Sequence, residues 1–152
     1  MLRSKIRTIY DRPKPGIAFK DITPLLQDSE AFQEIAQLFF ERYQGKKLTA
    51  IVGIESRGFI FGAMLAQMLG VGFIPIRKAG KLPAETEKID YALEYGRATI
   101  EIHKDALKAG DCVVLIDDLI ATGGSVLAAC ELIKRLGAEV FEVASVIDLK
   151  FL

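Results

Sequence analysis

Apolar residues recur along the chain in short runs that alternate between helix-like and strand-like spacing. The first helix is predicted from apolar residues at helical spacing, with Asp28 or Ser29 as its N-cap and Gly45 at its end. These apolar residues are Phe32, Ile35, Ala36, Phe39 and Tyr43. The alternation of such helices with short buried strands is typical of a parallel α/β sheet.

The remaining elements continue this alternation. Buried strands are predicted at residues 48–54, 73–77, 113–116 and 140–147. Helices are predicted at residues 58–69 and 125–136, and Gly70 and Gly137 are placed to end them. The fold class expected from this order is α/β, with a twisted, mostly parallel sheet flanked by helices.

One excursion from the parallel sheet is predicted in the middle of the chain. Residues 78–90 are rich in charge, contain Gly80 and Pro83, and show neither a helical nor a strand period, so they predict a long mobile loop. Strand-like runs at residues 90–95 and 97–102 lie on either side of Gly96 and predict a hairpin.

Composition narrows the class of protein. The chain has 152 residues, 51% of them hydrophobic, which is enough for one core and predicts a single domain over residues 1–152. The 20 basic and 20 acidic residues cancel, so no global field recruits nucleic acid or an anionic membrane, and any anion must be bound by local geometry. No apolar signal core opens the chain, and glycines interrupt its longest apolar stretch, so neither export nor a membrane span is expected. Cys112 and Cys130 lie within apparent core elements, which favours a reducing, cytoplasmic location.

Residues 113–125, VVLIDDLIATGGS, carry most of the predicted chemistry. Four apolar residues end in Asp117 and Asp118, which places two carboxylates at the carboxyl end of a strand, where open α/β sheets bind ligands. The small, glycine-rich loop that follows opens a helix, so its N–H groups and hydroxyls can converge on a phosphate. Its residues are Ala121, Thr122, Gly123, Gly124 and Ser125. Two acids for ribose hydroxyls and a loop for a 5′-phosphate predict a site for a phosphorylated ribose.

Other phosphate sites match less well. A nucleoside-triphosphate P-loop needs a lysine that residues 53–59 lack, and no G-x-G-x-x-G opens a helix after a strand. The alternative without function is a strand-to-helix turn that merely needs glycines, with the acids as solvated caps.

A second turn and a basic cluster are predicted at the same sheet edge. Arg57, in the turn after the strand at residues 48–54, can bind an anion bidentately, or it can cap the turn or bridge to Glu55. Arg77, Lys78 and Lys81 form a basic cluster that suits a diphosphate, although such clusters are often solvated charge runs.

These motifs together resemble the type I phosphoribosyltransferases, and within them the adenine-specific branch. The resemblance covers almost the whole chain, through PGIAFKDITPLL, GIESRGFIFGAML, IPIRKAGKLP, YALEYG, EIHKDAL and the 113–125 motif. It implies the type I phosphoribosyltransferase fold, with a small N-terminal hood at residues 1–27 and a flexible lid at residues 78–95. It also implies transfer of phosphoribose from phosphoribosyl diphosphate (PRPP) to adenine, giving AMP and diphosphate in purine salvage, with Mg²⁺ as cofactor, held mainly by PRPP and water, and a homodimer as the expected assembly.

Site residues follow from the resemblance position by position. It implies that Asp117, Asp118 and residues 121–125 bind PRPP. The implied diphosphate contacts are Ser56, Arg57, Gly58, Arg77, Lys78, Lys81 and Tyr95. The implied catalytic residues are Glu94, Arg57, Asp117 and Asp118, with Glu94 as proton acceptor or stabiliser of the purine. The implied adenine contacts are Ala18, Phe19, Lys20 and Leu149, where Phe19 could equally be an ordinary core residue.

Three positions qualify this picture. His103, the only histidine, is expected to be structural, although the resemblance allows a diphosphate contact. Lys20 stands where many relatives carry arginine. The chain ends at Leu152, before a C-terminal segment that the adenine-specific branch usually has, so part of the base pocket or sheet edge is expected to be missing or rebuilt.

Overall fold

A computed structural model describes residues 2–11, 15, 18–93, 96–120 and 123–148. The chain divides into two compact units, Met1–Arg42 and Tyr43–Leu152. The prediction of a single domain therefore stays a prediction.

The first unit contains a β-hairpin followed by helices. After a 3₁₀ turn (Leu2–Lys5), β1 (Arg7–Tyr10) pairs antiparallel with β2 (Ala18–Asp21). The short helix α1 (Thr23–Gln27) and the long helix α2 (Ser29–Tyr43) follow, and the last residue of α2 belongs to the second unit.

Two carboxylates organise the first unit. Asp21 Oδ2 accepts hydrogen bonds from Arg7 Nε at 2.9 Å and Nη2 at 2.6 Å, and its Oδ1 accepts one from the Thr23 N–H at 2.9 Å. Asp28 Oδ1 accepts a hydrogen bond from the Ala31 N–H at 3.0 Å, in the geometry of a helix N-cap. Of the two N-cap candidates, the structure therefore selects Asp28.

The second unit contains a six-stranded sheet. Its strands are β3 (Ala50–Ile54), β4 (Gly72–Lys78), β5 (Thr86–Leu93), β6 (Gly96–His103), β7 (Cys112–Ile120) and β8 (Glu139–Asp148), in the order β5-β6-β4-β3-β7-β8. Strands β4, β3, β7 and β8 are parallel, whereas β5 and β6 form an antiparallel extension at one edge. The predicted α/β class with a mostly parallel sheet is confirmed.

Helices cover both faces of this sheet. Helix α3 (Arg57–Leu69) packs on the face that contains Gly53 and Ile116, and α4 (Gly124–Arg135) packs on the opposite face with Val52 and Leu115. Both predicted helix ends are confirmed, because Gly70 and Gly137 adopt positive φ angles of 71° and 91°. No helix within the described ranges is long and apolar enough to cross a membrane. Both cysteines are free thiols.

The predicted loop at residues 78–90 is too long, because β5 already begins at Thr86. Strand β5 pairs with β6 along its whole length, from Thr86 opposite His103 to Leu93 opposite Gly96. It is an edge strand with charged outward side chains, which hide its period in the sequence. The hairpin around Gly96 is confirmed, and the irregular segment shrinks to residues 79–85.

The strand predicted at residues 113–116 is too short, because β7 continues to Ile120. Pairing with β3 stops at Ile116, but pairing with β8 continues up to Ile120 opposite Asp148. Asp117 and Asp118 therefore lie in the last part of β7, which pairs with β8 alone, just beyond the part that pairs with both β3 and β8.

An aromatic ring is wedged between the sheet and α3. A Cβ atom added to Gly62 would lie 2.6 Å from Phe73 Cε1, and one added to Gly53 would lie 2.7 Å from the same atom. The Phe59 ring meets the Phe73 ring edge-on, with 5.6 Å between centroids. Two glycines thus create the space that one phenylalanine fills, and α3 lies close to the sheet as a result.

We expect Gly62→Ala to lower the free energy of unfolding by about 1–3 kcal/mol, because the new methyl group overpacks a rigid ring and Ile116. The matched control is Gly72→Ala, where an added Cβ meets nothing within 4 Å. Urea titration of both variants measures the difference, and equal stability of the two would contradict the wedge.

Candidate active site

The candidate site lies at the carboxyl ends of β3 and β7, from which the chain crosses over in opposite directions. The chain leaves β3 through α3 to reach β4 on one side, and leaves β7 through α4 to reach β8 on the other side. The carboxyl ends of β3 and β7 are therefore adjacent at a topological switch point, where open α/β sheets form ligand crevices. Residues 55–58, which form a two-residue turn and the first residues of α3, follow β3, and Asp117 follows the β3-paired part of β7.

Gly58 brings these two segments into contact. A Cβ atom at this buried glycine would lie 2.8 Å from the Ile116 carbonyl oxygen, 3.2 Å from Asp117 Cα and 3.3 Å from Asp117 Oδ1. Only a residue without a side chain allows this approach. The turn that contains Ser56, Arg57 and Gly58 thus contacts the strand that carries the predicted ribose-binding acid.

The basic cluster converges on Glu55. The Glu55 carboxylate accepts hydrogen bonds from Arg77 Nε at 3.1 Å, from the Lys78 N–H at 3.1 Å and from Lys81 Nζ. Its side chain is only 9% exposed, whereas those of Arg77 and Lys81 are 36% and 45% exposed. The described contacts pair Glu55 with Arg77 and Lys81, and the bridge considered for Arg57 stays a prediction.

Glu55 is held in its charged form. Burial alone would raise its pKa, but the hydrogen bonds from Lys81, the Lys78 N–H and Arg77 outweigh burial and hold the pKa below its ordinary value of 4.5. The carboxylate is therefore ionised at neutral pH.

A second buried acid shapes the loop that carries Lys81. Glu101, on β6, accepts hydrogen bonds from the Gly80 N–H at 2.8 Å and from the Thr86 hydroxyl at 3.0 Å. His103 Nε2 accepts one from the Ala84 N–H at 3.3 Å. Both ends of the loop are thus bonded to β6. This contact agrees with the structural role expected for His103, and both that role and its diphosphate contact stay predictions.

The predicted phosphate loop leads into α4 as expected. Gly123, the N-cap of α4, has φ 83°, in the left-handed region that favours glycine. Gly124 and Ser125 form the first turn of the helix, where N–H groups have no partner within the helix and the helix dipole favours an anion. This part of the prediction agrees with a phosphate site, whereas Ala121 and Thr122 lie outside the described residues.

Tyr91 on β5 lies within electrostatic reach of Asp117. Burial first, and then the negative charge of Asp117, raise the pKa of Tyr91 above its ordinary value of 10.0. Tyr91 also packs against the core cluster on the α4 side of the sheet. The antiparallel hairpin and the central strand thus contribute to one region.

The predicted adenine-binding residues belong to the first unit, except Leu149. Ala18, Phe19 and Lys20 lie on β2, and Lys20 Nζ donates a hydrogen bond to the Thr8 hydroxyl at 2.9 Å. The side chains of Ala18 and Phe19 lie outside the described part of the structure, as does Leu149. Their contact with adenine stays a prediction.

Three more predicted site positions are also not described. Glu94 and Tyr95 lie outside the described residues, and of Asp118 only the backbone is described. The structure therefore brings together the turn at residues 56–58, Asp117 and the basic cluster, and leaves the roles of these three residues as predictions.

Sequence reasoning considered Glu55 only as a partner of Arg57 and gave no role to Glu101 or Tyr91. The contact of Glu55 depends on strand register, because Ile54 pairs with Ile76 and the residues that follow them are Glu55 and Arg77. An acid and a base at equivalent positions of neighbouring strands predict a contact once the register is known.

Comparison with known proteins agrees with the geometry. The sequence model of the family described as the phosphoribosyl transferase domain matches residues 21–150. A relative from Roseiflexus sp. (strain RS-1), named adenine phosphoribosyltransferase, is 59% identical over 151 residues, which cover 99% of this chain and 88% of the relative.

Solved structures show the same similarity. An adenine phosphoribosyltransferase from Thermoanaerobacter pseudethanolicus matches with a TM-score of 0.91 and 43% identity, covering 97% of this chain and 98% of that chain. The enzyme of that name from Saccharomyces cerevisiae, complexed with D-2,5-dideoxy-2,5-imino-altritol 1,6-bisphosphate and adenine, matches with a TM-score of 0.94 and 44% identity, covering 99% of this chain and 88% of that chain. The similarity extends over both the sequence and the fold.

We expect the contribution of Glu55 to stability to depend on pH. Because its pKa in the folded chain lies below 4.5, the unfolded chain binds the proton more readily, so the contribution is present above pH 4.5 and is lost as pH falls through the folded-state pKa. The difference in free energy of unfolding between wild type and Glu55→Gln should therefore narrow as the pH is lowered. Urea titrations at several pH values measure it, with Glu85→Gln as a control at an 81% exposed carboxylate. A difference that is constant with pH would contradict the assignment.

Proposed function

The chain belongs to the phosphoribosyltransferase family, and we propose that it transfers the phosphoribosyl group of PRPP to adenine, giving AMP and diphosphate. The observation that carries the chemistry is the contact of Gly58 with Asp117 at the switch point, which joins a candidate diphosphate turn to a candidate ribose acid. The specificity for adenine is supported by 59% identity to a relative of that name over nearly the whole chain.

The reaction requires one displacement at the anomeric carbon of the ribose. The bond to the diphosphate oxygen breaks, a bond to a ring nitrogen of adenine forms, and that nitrogen loses its proton. Positive charge develops on the ribose and negative charge on the leaving diphosphate. Groups fixed in place before the reaction stabilise both charges without reorganisation.

The described residues suit these two tasks. Asp117, buried at the switch point, supplies a carboxylate for ribose hydroxyls, and Arg57 begins α3 one residue before Gly58, which contacts Asp117. Arg77, Lys78 and Lys81 place three cations at the end of β4 and in the loop beyond it, where a diphosphate needs them. Gly123, Gly124 and Ser125 supply the start of α4 for the 5′-phosphate.

Residues outside the described ranges complete the proposal. Glu94 and Tyr95 are proposed to close over PRPP as part of a lid at residues 78–95, with Glu94 as the acceptor or stabiliser of the adenine proton. Such closure keeps water from the reacting carbon. Phe19, with Leu149, is proposed to hold the base.

Magnesium suits the donors present. No group of three or more His, Cys, Asp or Glu side chains that could hold a metal ion occurs among the described residues. Mg²⁺ binds readily through one or two carboxylates together with substrate phosphates and water, so it would be held mainly by PRPP, with Asp117 nearby. When bound, it neutralises charge on the leaving diphosphate.

A homodimer in the cytoplasm is the proposed assembly and location.

We expect adenine, with PRPP and Mg²⁺, to be the base that this chain converts fastest. Formation of the nucleotide from adenine, hypoxanthine, xanthine and orotate should be measured in parallel, and EDTA should abolish it with every base that reacts. A faster rate with another base would correct the specificity, and PRPP binding without any nucleotide would indicate a non-catalytic regulator.

We expect Arg57→Ala and Asp117→Asn each to lower kcat/KM by about 100-fold or more, the scale for losing one fixed electrostatic contact in an active site. Both variants should keep the wild-type circular dichroism spectrum. Glu131→Gln, which removes a half-exposed carboxylate on α4 that pairs with Arg135, should retain wild-type kinetics. Wild-type kinetics in either site variant would contradict the assignment of that residue.

A further inference from the structure

Glu55 is a buried acid in a region proposed to bind a polyanion. Its carboxylate side chain is 9% exposed, and its own N–H donates to the Ile76 carbonyl at 2.9 Å, so it is fixed to the end of β4. A carboxylate at this place costs desolvation and repels a diphosphate. A carboxylate here must make a favourable contribution that outweighs both the desolvation cost and this repulsion.

The contacts of Glu55 leave most donors of the cations unused. Arg77 gives Glu55 only its Nε–H, although a guanidinium has five N–H donors, and Lys81 gives one of three. Both side chains remain more than a third exposed. The cluster of Arg77, Lys78 and Lys81 therefore keeps a net positive charge after Glu55 is counted, with N–H groups still open to an anion.

Glu55 also removes freedom that these side chains would otherwise have. A lysine on a surface loop has many rotamers, and ordering it on a ligand costs affinity. Lys81 lies in the loop at residues 79–85 and is bound to Glu55. The Arg77 guanidinium carbon lies 6.0 Å from the centre of the Phe59 ring, which limits it from another side. The folded chain therefore orders the Arg77 and Lys81 side chains before a ligand binds, so less affinity is lost on binding.

We propose that Glu55 is a positioning residue for the diphosphate of PRPP, which holds Arg77 and Lys81 as a preassembled cation pair whose unused N–H donors bind that group. The proposal rests on the proposed function. It names a role for an acid that does not itself contact the substrate.

The sign of one substitution separates this role from simple electrostatics. Glu55→Gln keeps the size and an acceptor oxygen but removes a negative charge beside the site. If Glu55 were only a nearby charge, its loss would strengthen the binding of an anion. If Glu55 positions the cations, its loss weakens the binding of ligands that carry a diphosphate, against the direction of the simple charge effect.

The experiment is isothermal titration of Mg²⁺-PRPP, Mg²⁺-diphosphate and AMP into the wild-type chain and Glu55→Gln. We expect the two diphosphate ligands to bind about tenfold more weakly to the variant, as for the loss of one charge-assisted contact. AMP has the ribose, phosphate and base but no diphosphate, so its affinity should stay within about twofold. The KM for PRPP should rise by the same factor as the dissociation constant, with the KM for adenine unchanged.

Two control variants accompany this titration. Glu131→Gln removes one negative charge on α4, outside both the cluster and the lid, and its affinities should equal those of wild type. Lys81→Met tests the contact without altering the buried acid, and should weaken diphosphate ligands about tenfold with AMP unchanged. Adding Glu55→Gln to Lys81→Met should cost less than it costs in wild type, because the two substitutions remove one shared interaction.

The outcomes distinguish the positioning role of Glu55 from a simple charge effect, and from a failure of the proposed function. Equal or tighter binding of diphosphate ligands to Glu55→Gln, or an equal loss for AMP, would overturn the positioning role. If Glu55→Gln does not fold, unchanged diphosphate affinity in Lys81→Met would overturn it as well. A wild-type chain that forms no AMP would refute the proposed function, whereas AMP formation with full PRPP affinity in Glu55→Gln would refute only the role of Glu55.

Discussion

The close approach of Gly58 to β7 is the constraint on which the site depends. An added Cβ would lie within 2.8 Å of the Ile116 carbonyl oxygen, so α3 can begin here only because residue 58 has no side chain. The contact is between backbones, which cannot move aside as a flexible side chain can. It fixes the turn after β3 against the extension of β7, and the proposed diphosphate and ribose contacts require these two segments to be adjacent.

Charge is then distributed locally around this contact. The chain has no net charge, so a highly charged substrate is bound by an arrangement of residues and not by a long-range field. Three cations gather around the end of β4, and one acid, Glu55, lies among them. Glu55 lowers the net positive charge that attracts an anion, but it fixes the positions of the Arg77 and Lys81 side chains.

The sequence predicted best what depends on neighbouring residues. The helix ends at Gly70 and Gly137 and the cap at Asp28 follow from local backbone chemistry, and the structure agrees. The prediction failed where pairing partners decide, as in β5, whose charged face resembled a loop, and in β7, which β8 extends beyond Ile116. The contact between Glu55 and Arg77 was missed for the same reason, because the register of β3 and β4 is not written in either segment alone.

Packing connects the core of the second unit to the cation cluster. Gly53 and Gly62 leave the space that Phe73 fills, the Phe59 ring rests edge-on against Phe73, and the Arg77 guanidinium lies over Phe59. A close-packed interior transmits a displacement. The position of the Phe73 ring beneath α3 therefore affects the position of the Phe59 ring, on which the Arg77 guanidinium rests. The glycines therefore act on the site at two levels. Gly58 sets the distance between its two turns, and the pair beneath Phe73 supports the side that Arg77 and Glu55 share.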